Sequence, residues 1–147
     1  HIVYNETLRD RVCAVSNKTH YNEMNVLSMH ALIGAYQPQG YEWVDELNQV
    51  LASNIEYFCD YVDEHFEGVS YSRPQGTYMV FLDCTEWCRE HGRDIQWLLD
   101  EGARVGVGYQ DGRPFHGPCH IRVNLALPLS RVREACDRLD RYVFNAR

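Results

Sequence analysis

A change of hydrophobic period after residue 66 is the feature that most constrains the fold of this chain. From Tyr41 to Phe66 the chain contains no proline or glycine. Apolar residues recur there every three or four positions, at Val44, Leu47, Leu51, Ile55, Phe58 and Val62. This spacing predicts one amphipathic helix of about seven turns. Its first half is less regular than its second half, which is typical of a helix that runs from one packing environment into another.

Beyond Gly68, where we expect this helix to stop, short apolar segments replace the helical period. Four strands are predicted over Val69–Ser72, Thr77–Cys84, Arg104–Val107 and Cys119–Leu127. Helices are predicted over Asp94–Glu101, ending at Gly102, and from Ser130 onward, with that serine as N-cap. The pattern predicts an α+β fold with a small, three- to four-stranded, mainly antiparallel sheet and helices packed on one face.

Two further helices are predicted before the long one. Asn5 can cap a helix over Glu6–Ser16, and a second helix is predicted over Asn25–Tyr36. The second segment is strongly apolar, so we expect that helix to be well buried.

Composition excludes several classes of function. The formal net charge of -7 argues against nucleic-acid binding, which needs clustered positive charge. No apolar run approaches the roughly 20 residues of a membrane helix. Six cysteines spread through predicted helices and strands indicate reduced thiols and a cytoplasmic protein. The spacing of Cys84, Cys88, His91, His116, Cys119 and His120 lacks the paired-cysteine pattern of zinc sites, so we predict no metal.

One arginine stands out in the last predicted strand. Alternation there places Ile121, Val123, Leu125 and Leu127 on one face, and His120, Arg122, Asn124 and Ala126 on the other. The planar guanidinium of Arg122 suits two parallel hydrogen bonds to a carboxylate. From the residues alone, two interpretations are open: a structural salt bridge within the protein, or a binding site for an external anion. The sequence shows no nucleophile elbow, and Lys18 is the only lysine.

The order of four motifs resembles the C-terminal part of the fold-type I pyridoxal-phosphate enzymes, in particular the class I/II aminotransferases and their cystathionine β-lyase relatives. The motifs are NETLRDRV (5–12), RPQGTYMVFLD (73–83), LLDEGARVGVGYQDG (98–112) and HIRVNLALPLSRVREACDRL (120–139). The last contains the family's Arg-x-Asn-x-Ala-x-Pro signature.

The resemblance implies a role for Arg122: binding the α-carboxylate of an amino-acid substrate. It also implies that residues 1–40 follow a large cofactor-binding domain and that residues 41–147 form the small C-terminal domain. The cofactor lysine would then lie upstream of His1, so we expect pyridoxal phosphate in a full-length homodimer and neither cofactor nor catalysis in this stretch alone. Transamination and C–S β-elimination both remain open.

The rival interpretation is a free-standing module that binds a small carboxylate through Arg122 without catalysis. A lysine about 15 to 25 residues upstream of His1, after a serine-rich strand end, would favour the enzyme, by analogy with the family.

Overall fold

A computed structural model describes residues 3–20 and 24–146. Its elements are α1 (Glu6–Thr19), α2 (Val26–Ala35), α3 (Pro38–His65), β1 (Ser70–Tyr71), β2 (Met79–Asp83), α4 (Thr85–His91), α5 (Ile95–Arg104), β3 (Gln110–Asp111), a 3₁₀ turn (Arg113–Phe115), β4 (His120–Asn124), α6 (Leu129–Leu139) and a π-helical turn (Asp140–Phe144). The chain divides into two compact units, His1–Val44 and Asp45–Arg147, and α3 contributes residues to both.

The second unit is built on a four-stranded antiparallel sheet with the strand order β1-β2-β4-β3. The two central strands pair over five residues, from Met79 opposite Asn124 to Asp83 opposite His120. Burial alternates along both strands, so one face of the sheet packs and the other stays partly open. The predicted α+β class and the antiparallel sheet are confirmed.

Helices cover the packed face. Trp87 of α4 is buried, and its indole Nε1 donates a hydrogen bond to the Phe144 carbonyl at 3.2 Å. The Phe144 ring stacks on Phe66 with ring centroids 4.3 Å apart. The core also includes Phe58, Val62, Val80, Leu82, Leu98, Ile121, Val132, Leu139 and Val143. Residues from α3, β2, β4, α5 and α6 therefore share one apolar core.

The long helix α3 begins at Pro38, three residues before the predicted start. Proline suits the first turn of a helix, because its missing N–H would have no partner there. The buried residues of α3 are Asn54, Phe58, Cys59 and Val62. Burial is thus confined to the half that the sequence shows as more regular.

The predicted strand Arg104–Val107 is wrong. Helix α5 continues to Arg104, and the chain then turns at Gly106, which has a φ of 77°. Gly102 was expected to end the helix, but α5 continues past it to Arg104. A Cβ at this position would lie 2.5 Å from the Tyr109 ring. The glycine therefore permits close packing, and the next strand forms only at Gln110–Asp111.

Two other boundaries differ from the prediction around the second sheet strand and the last helix. Strand β2 is shorter than Thr77–Cys84, because α4 begins at Thr85; this helix is absent from the sequence-based prediction. Helix α6 begins at Leu129 with Pro128 at the N-cap position, and Ser130 lies in its first turn and makes no cap. Serine is common at helix N-caps, but Ser130 lies one residue inside the helix and does not cap it.

In the first unit, the predicted cap at Asn5 is confirmed, and Asn25 caps α2, which the sequence analysis did not predict. The side-chain oxygen of Asn5 accepts from the Leu8 N–H at 2.9 Å, and that of Asn25 accepts from the Ser28 N–H at 2.8 Å. The expected burial of α2 is wrong: none of its residues is buried, and Leu27 is 82% exposed. Apolar composition predicts burial only where another element supplies a facing surface.

No helix within residues 3–20 and 24–146 is both long enough and apolar enough to cross a membrane.

Candidate functional site

Arg122 lies at the centre of β4, opposite Phe81 on β2 and Gln110 on β3. Its neighbours Ile121 and Val123 point into the core. Strand alternation therefore places the guanidinium on the partly open face of the sheet, as the sequence predicts.

The predicted inward position of Leu127 is wrong. Leu125 is 2% exposed, whereas Leu127 is 48% exposed. The strand ends at Asn124, and the Leu127 N–H donates to the Leu125 carbonyl at 2.9 Å in a tight turn. Strand alternation ceases to apply once this turn begins.

Arg122 has no acidic partner in the part of the chain that the structure describes: no Asp or Glu oxygen lies within 4.0 Å of its guanidinium. Instead, its Cζ lies 4.5 Å from the centroid of the Phe115 ring. A cation over an aromatic face is attracted by the ring quadrupole and restricted in its movement. The ring leaves the hydrogen-bonding edge of the guanidinium available, which disfavours the structural salt bridge among these residues.

A tight turn brings Phe115 to Arg122. The backbone and side chain of Arg113 both donate to the Asp111 carboxylate, at 2.9 Å and 2.7–3.0 Å, which fixes the start of the 3₁₀ turn. At Gly112 a Cβ would lie 2.4 Å from the His120 carbonyl oxygen, so only glycine permits this approach. The loop between β3 and β4 therefore packs back onto the start of β4.

Two asparagines hold the end of β4. The Asn124 side chain accepts from the Ala126 N–H at 2.8 Å. The fully buried Asn54 of α3 donates to the carbonyls of Leu125 and Leu127, at 2.9 and 2.7 Å. These bonds tie the strand that carries the arginine to the long helix.

Asp83 lies on the open face of β2, two residues beyond Phe81, which pairs with Arg122. Its carboxylate has partners of its own. The Thr85 N–H donates to Asp83 at 2.9 Å, and His120 Nε2 lies 3.8 Å from its other oxygen. Burial raises the pKa of Asp83, but the hydrogen bonds from the Thr85 hydroxyl and N–H outweigh this effect and hold it below the ordinary value. His120 Nδ1 is buried with no partner within the described residues. Asp83 is thus paired with Thr85 and His120 rather than with Arg122.

Within the described ranges 3–20 and 24–146, Lys18 is the one side chain that could form a Schiff base with pyridoxal phosphate. Lys18 is the only lysine, and it lies exposed in the last turn of α1. A Schiff-base lysine needs a desolvated or electropositive site that lowers its pKa. We therefore assign no step of cofactor chemistry to a residue of this chain.

Of the six cysteine and histidine residues that the sequence analysis weighed as metal ligands, the structure places the three cysteines near one another. Cys84, Cys88 and Cys119 lie near one another at the junction of β2, α4 and β4. In the ranges 3–20 and 24–146, no group of three or more Cys, His, Asp or Glu side chains has an arrangement that could hold a metal ion.

Sequence reasoning missed two residues of this region. Asn54 occupies a position between Leu51 and Phe58 on the apolar stripe of α3, so a polar residue on a core face was a usable signal. For Phe115, the only signal was an aromatic residue in a glycine-bounded turn, which does not specify what it contacts.

The family model for aminotransferase class I and II matches residues 2–139. This match covers nearly the whole chain. The chain belongs to this family.

Relatives of this aminotransferase-family chain include enzymes of two kinds. It is 35% identical over 124 residues to a Mycobacterium leprae protein named "Putative cystathionine beta-lyase", a match over 74% of this chain and 30% of that protein. It is 29% identical over 122 residues to an aspartate aminotransferase from Bacillus sp. (strain YM-2), over 79% of this chain and 30% of the relative. The chain thus spans about 30% of the length of these curated relatives.

The fold also matches a solved structure of the family. A PLP-bound C-S lyase from Staphylococcus hominis superposes with a TM-score of 0.77 at 24% identity, over 95% of this chain and 36% of that one. At this identity the match shows the shared fold.

Proposed function

We propose that this chain is the C-terminal part of a pyridoxal-phosphate-dependent enzyme that acts on amino acids, in which Arg122 binds the α-carboxylate of the substrate. The observation that carries the proposal is a guanidinium with no carboxylate partner in the described chain, stacked on Phe115 and located within the Arg-x-Asn-x-Ala-x-Pro motif. Family membership and the PLP-bound relative support the choice of cofactor.

The guanidinium can donate two parallel hydrogen bonds to a carboxylate and keeps its charge at all physiological pH values. The Phe115 ring restricts the orientation of the Arg122 guanidinium, so less conformational freedom is lost when a carboxylate binds. A carboxylate held at two points cannot rotate freely, and the bonds at the α-carbon are oriented with it. Pyridoxal phosphate, when bound, supplies the electron sink for breaking one of those bonds.

The rest of the proposal concerns the whole protein. Residues 1–40 would follow a large domain of the same chain that supplies the lysine, and residues 41–147 would form the small domain of a homodimer. Both amino-group transfer and C–S cleavage fit, because relatives of both kinds match and Arg122 would perform the same task in each.

Replacement of Arg122 in the full-length protein tests the central role. Loss of hydrogen bonds to a charged group costs about 1.5–3 kcal/mol, so we expect Arg122→Ala to lower kcat/KM for amino acids by roughly 10- to 150-fold. The visible absorbance of the bound cofactor should not change. Arg122→Lys should also lower kcat/KM, because the single ammonium group of lysine cannot donate the two parallel hydrogen bonds of a guanidinium.

The matched control is Arg89→Ala. Arg89 is also an arginine of the second unit, but its side chain is 71% exposed and pairs with Glu86 on the same helix. The assignment of Arg122 is refuted if its alanine variant retains the kinetics of the Arg89 variant.

A further inference from the structure

The loop between β3 and β4, residues 112–117, is joined at both of its ends to His120. Within the loop, the Gly117 N–H donates to the Gly112 carbonyl at 3.1 Å. The Gly112 N–H donates to the His120 carbonyl at 2.9 Å, and the His120 N–H donates to the Gly117 carbonyl at 3.2 Å. His120 begins β4, so the loop is attached to the strand that carries Arg122, two residues before it.

Two neighbouring rings form the surface against which this loop packs. The rings of Phe81 on β2 and His120 on β4 have centroids 4.6 Å apart and an angle of 35° between their planes. A Cβ on Gly117 would lie 2.5 Å from Phe81 Cζ and 2.6 Å from His120 Cγ. Carbon atoms at these separations overlap, so the backbone can approach both rings this closely only with glycine at position 117.

Phe115 depends on the loop for its position over Arg122. Phe115 is 47% exposed, so surrounding side chains contribute little to holding its ring. Its backbone is held by the loop, because the Phe115 N–H donates to the Gly112 carbonyl at 2.9 Å. The distance of 4.5 Å between Arg122 Cζ and the ring centroid therefore depends on how closely the loop packs against the sheet.

We propose that Gly117 is a positioning residue: its contact with the two rings holds Phe115 over the Arg122 guanidinium. A methyl group at position 117 would also meet His120 Cβ, an atom next to the backbone of a strand that is paired with β2. The strand is held by this pairing, whereas the loop lies outside the sheet. The loop therefore gives way, and the Phe115 ring moves off the guanidinium with it.

Chemical modification of Arg122 in the full-length protein tests this without any substrate. Phenylglyoxal adds to guanidinium groups, and tandem mass spectrometry of a digest locates the label on individual arginines. The Phe115 ring covers one face of the guanidinium, so Gly117→Ala should raise the rate of labelling at Arg122 about two- to fivefold, which corresponds to the loss of an exposed cation–π contact. Gly108→Ala is the matched control, because a Cβ there would meet no atom within 4 Å. An unchanged rate in Gly117→Ala overturns the proposal.

Two comparisons separate positioning from a general loss of stability. Arg138 donates to the Val105 carbonyl at 3.1 Å, outside the loop, so its labelling rate should not change in Gly117→Ala. Phe115→Leu should raise the rate at Arg122 by itself, and its addition to Gly117→Ala should raise the rate no further, because the same contact is already lost. Effects that multiply, or an equal acceleration at Arg138, would contradict a positioning role.

A second variant decides the matter if Gly117→Ala does not fold. Phe81→Leu removes one of the two rings against which the Gly117 backbone packs, and it should raise the labelling rate at Arg122 within the same range. A folded Phe81→Leu protein with the wild-type rate would overturn the proposal.

Steady-state kinetics extend the test to binding and rest on the proposed function of Arg122. With the amino acid that the wild-type protein turns over fastest, Gly117→Ala should raise KM about two- to fivefold, because the guanidinium loses the contact that orients it. Faster labelling at Arg122 together with unchanged kinetics in both Gly117→Ala and Arg122→Ala would refute the proposed function, and Gly117 would still be the residue that positions the ring.

Discussion

Replacing Asn54 with alanine should lower the free energy of unfolding by an amount that is large for the loss of one side-chain amide. Asn54 is fully buried on α3, and its side-chain nitrogen donates to the carbonyls of Leu125 and Leu127. The Leu125 carbonyl would lose its buried donor, which costs about 1–3 kcal/mol, whereas the more accessible Leu127 carbonyl can turn to water, so its lost bond costs only about 0.5–1.5 kcal/mol. The Asn54 side-chain oxygen is itself buried without a partner in the described residues, so its removal offsets part of the loss. The two losses add up to about 1.5–4.5 kcal/mol before this offset, so the expected decrease in unfolding free energy is about 1–4 kcal/mol.

Urea denaturation followed by tryptophan fluorescence measures this loss, since Trp87 is buried in the same core. Asn54→Asp should lose at least as much as Asn54→Ala, because a carboxylate has nearly the same shape but cannot donate to either carbonyl. Ser53→Ala is the matched control: its hydroxyl is exposed and bonds only to the Gln49 carbonyl on the same helix, so the change should stay within about 0.5 kcal/mol. If the Asn54→Ala protein is as stable as the Ser53→Ala control, the Asn54 hydrogen bonds do not stabilise the fold.

Three further predictions concern other contacts. Phe115→Leu removes the ring under Arg122 and should raise KM for amino acids about two- to fivefold, whereas Phe115→Tyr should retain the wild-type value; equal kinetics for both variants would contradict a cation–π role. Gly102→Ala places a methyl group against the Tyr109 ring and should lower the free energy of unfolding by about 1–3 kcal/mol, which calorimetry detects as a lower melting temperature. An unchanged melting temperature would show that the ring can move aside. Hydrogen bonds from two neighbouring arginines lower the pKa of Glu134 below its ordinary value of 4.5, so its stabilisation is present above that pH and is lost as the pH falls through the lowered pKa. Glu134→Gln should therefore show a shallower loss of stability on acidification, and identical acid titrations would count against the pairing.

The existence of α1, α2, α3, α5 and α6 and the outward position of Arg122 were accessible from the sequence, because they depend on the local period of apolar residues, whereas the short helix α4 was missed. Boundaries were less accessible. Gly102 has the sequence signal of a helix end, yet it lies inside α5, and the ring of Tyr109, seven residues later, occupies the space that a side chain at this position would need. In the same way, α2 has the composition of a buried helix but lies exposed in the described chain, since burial depends on what faces it.

The sequence by itself determined the α+β pattern, the family motifs and the face of the strand on which Arg122 lies. Tertiary structure alone decided that this guanidinium lies on Phe115 without a carboxylate partner among the described residues, and that Asn54 donates to the Leu125 carbonyl, 71 residues away. Periodicity reports which side of an element packs, because that depends on near neighbours in sequence. Which particular side chains meet depends on how distant elements pack against one another, and no local pattern contains that information.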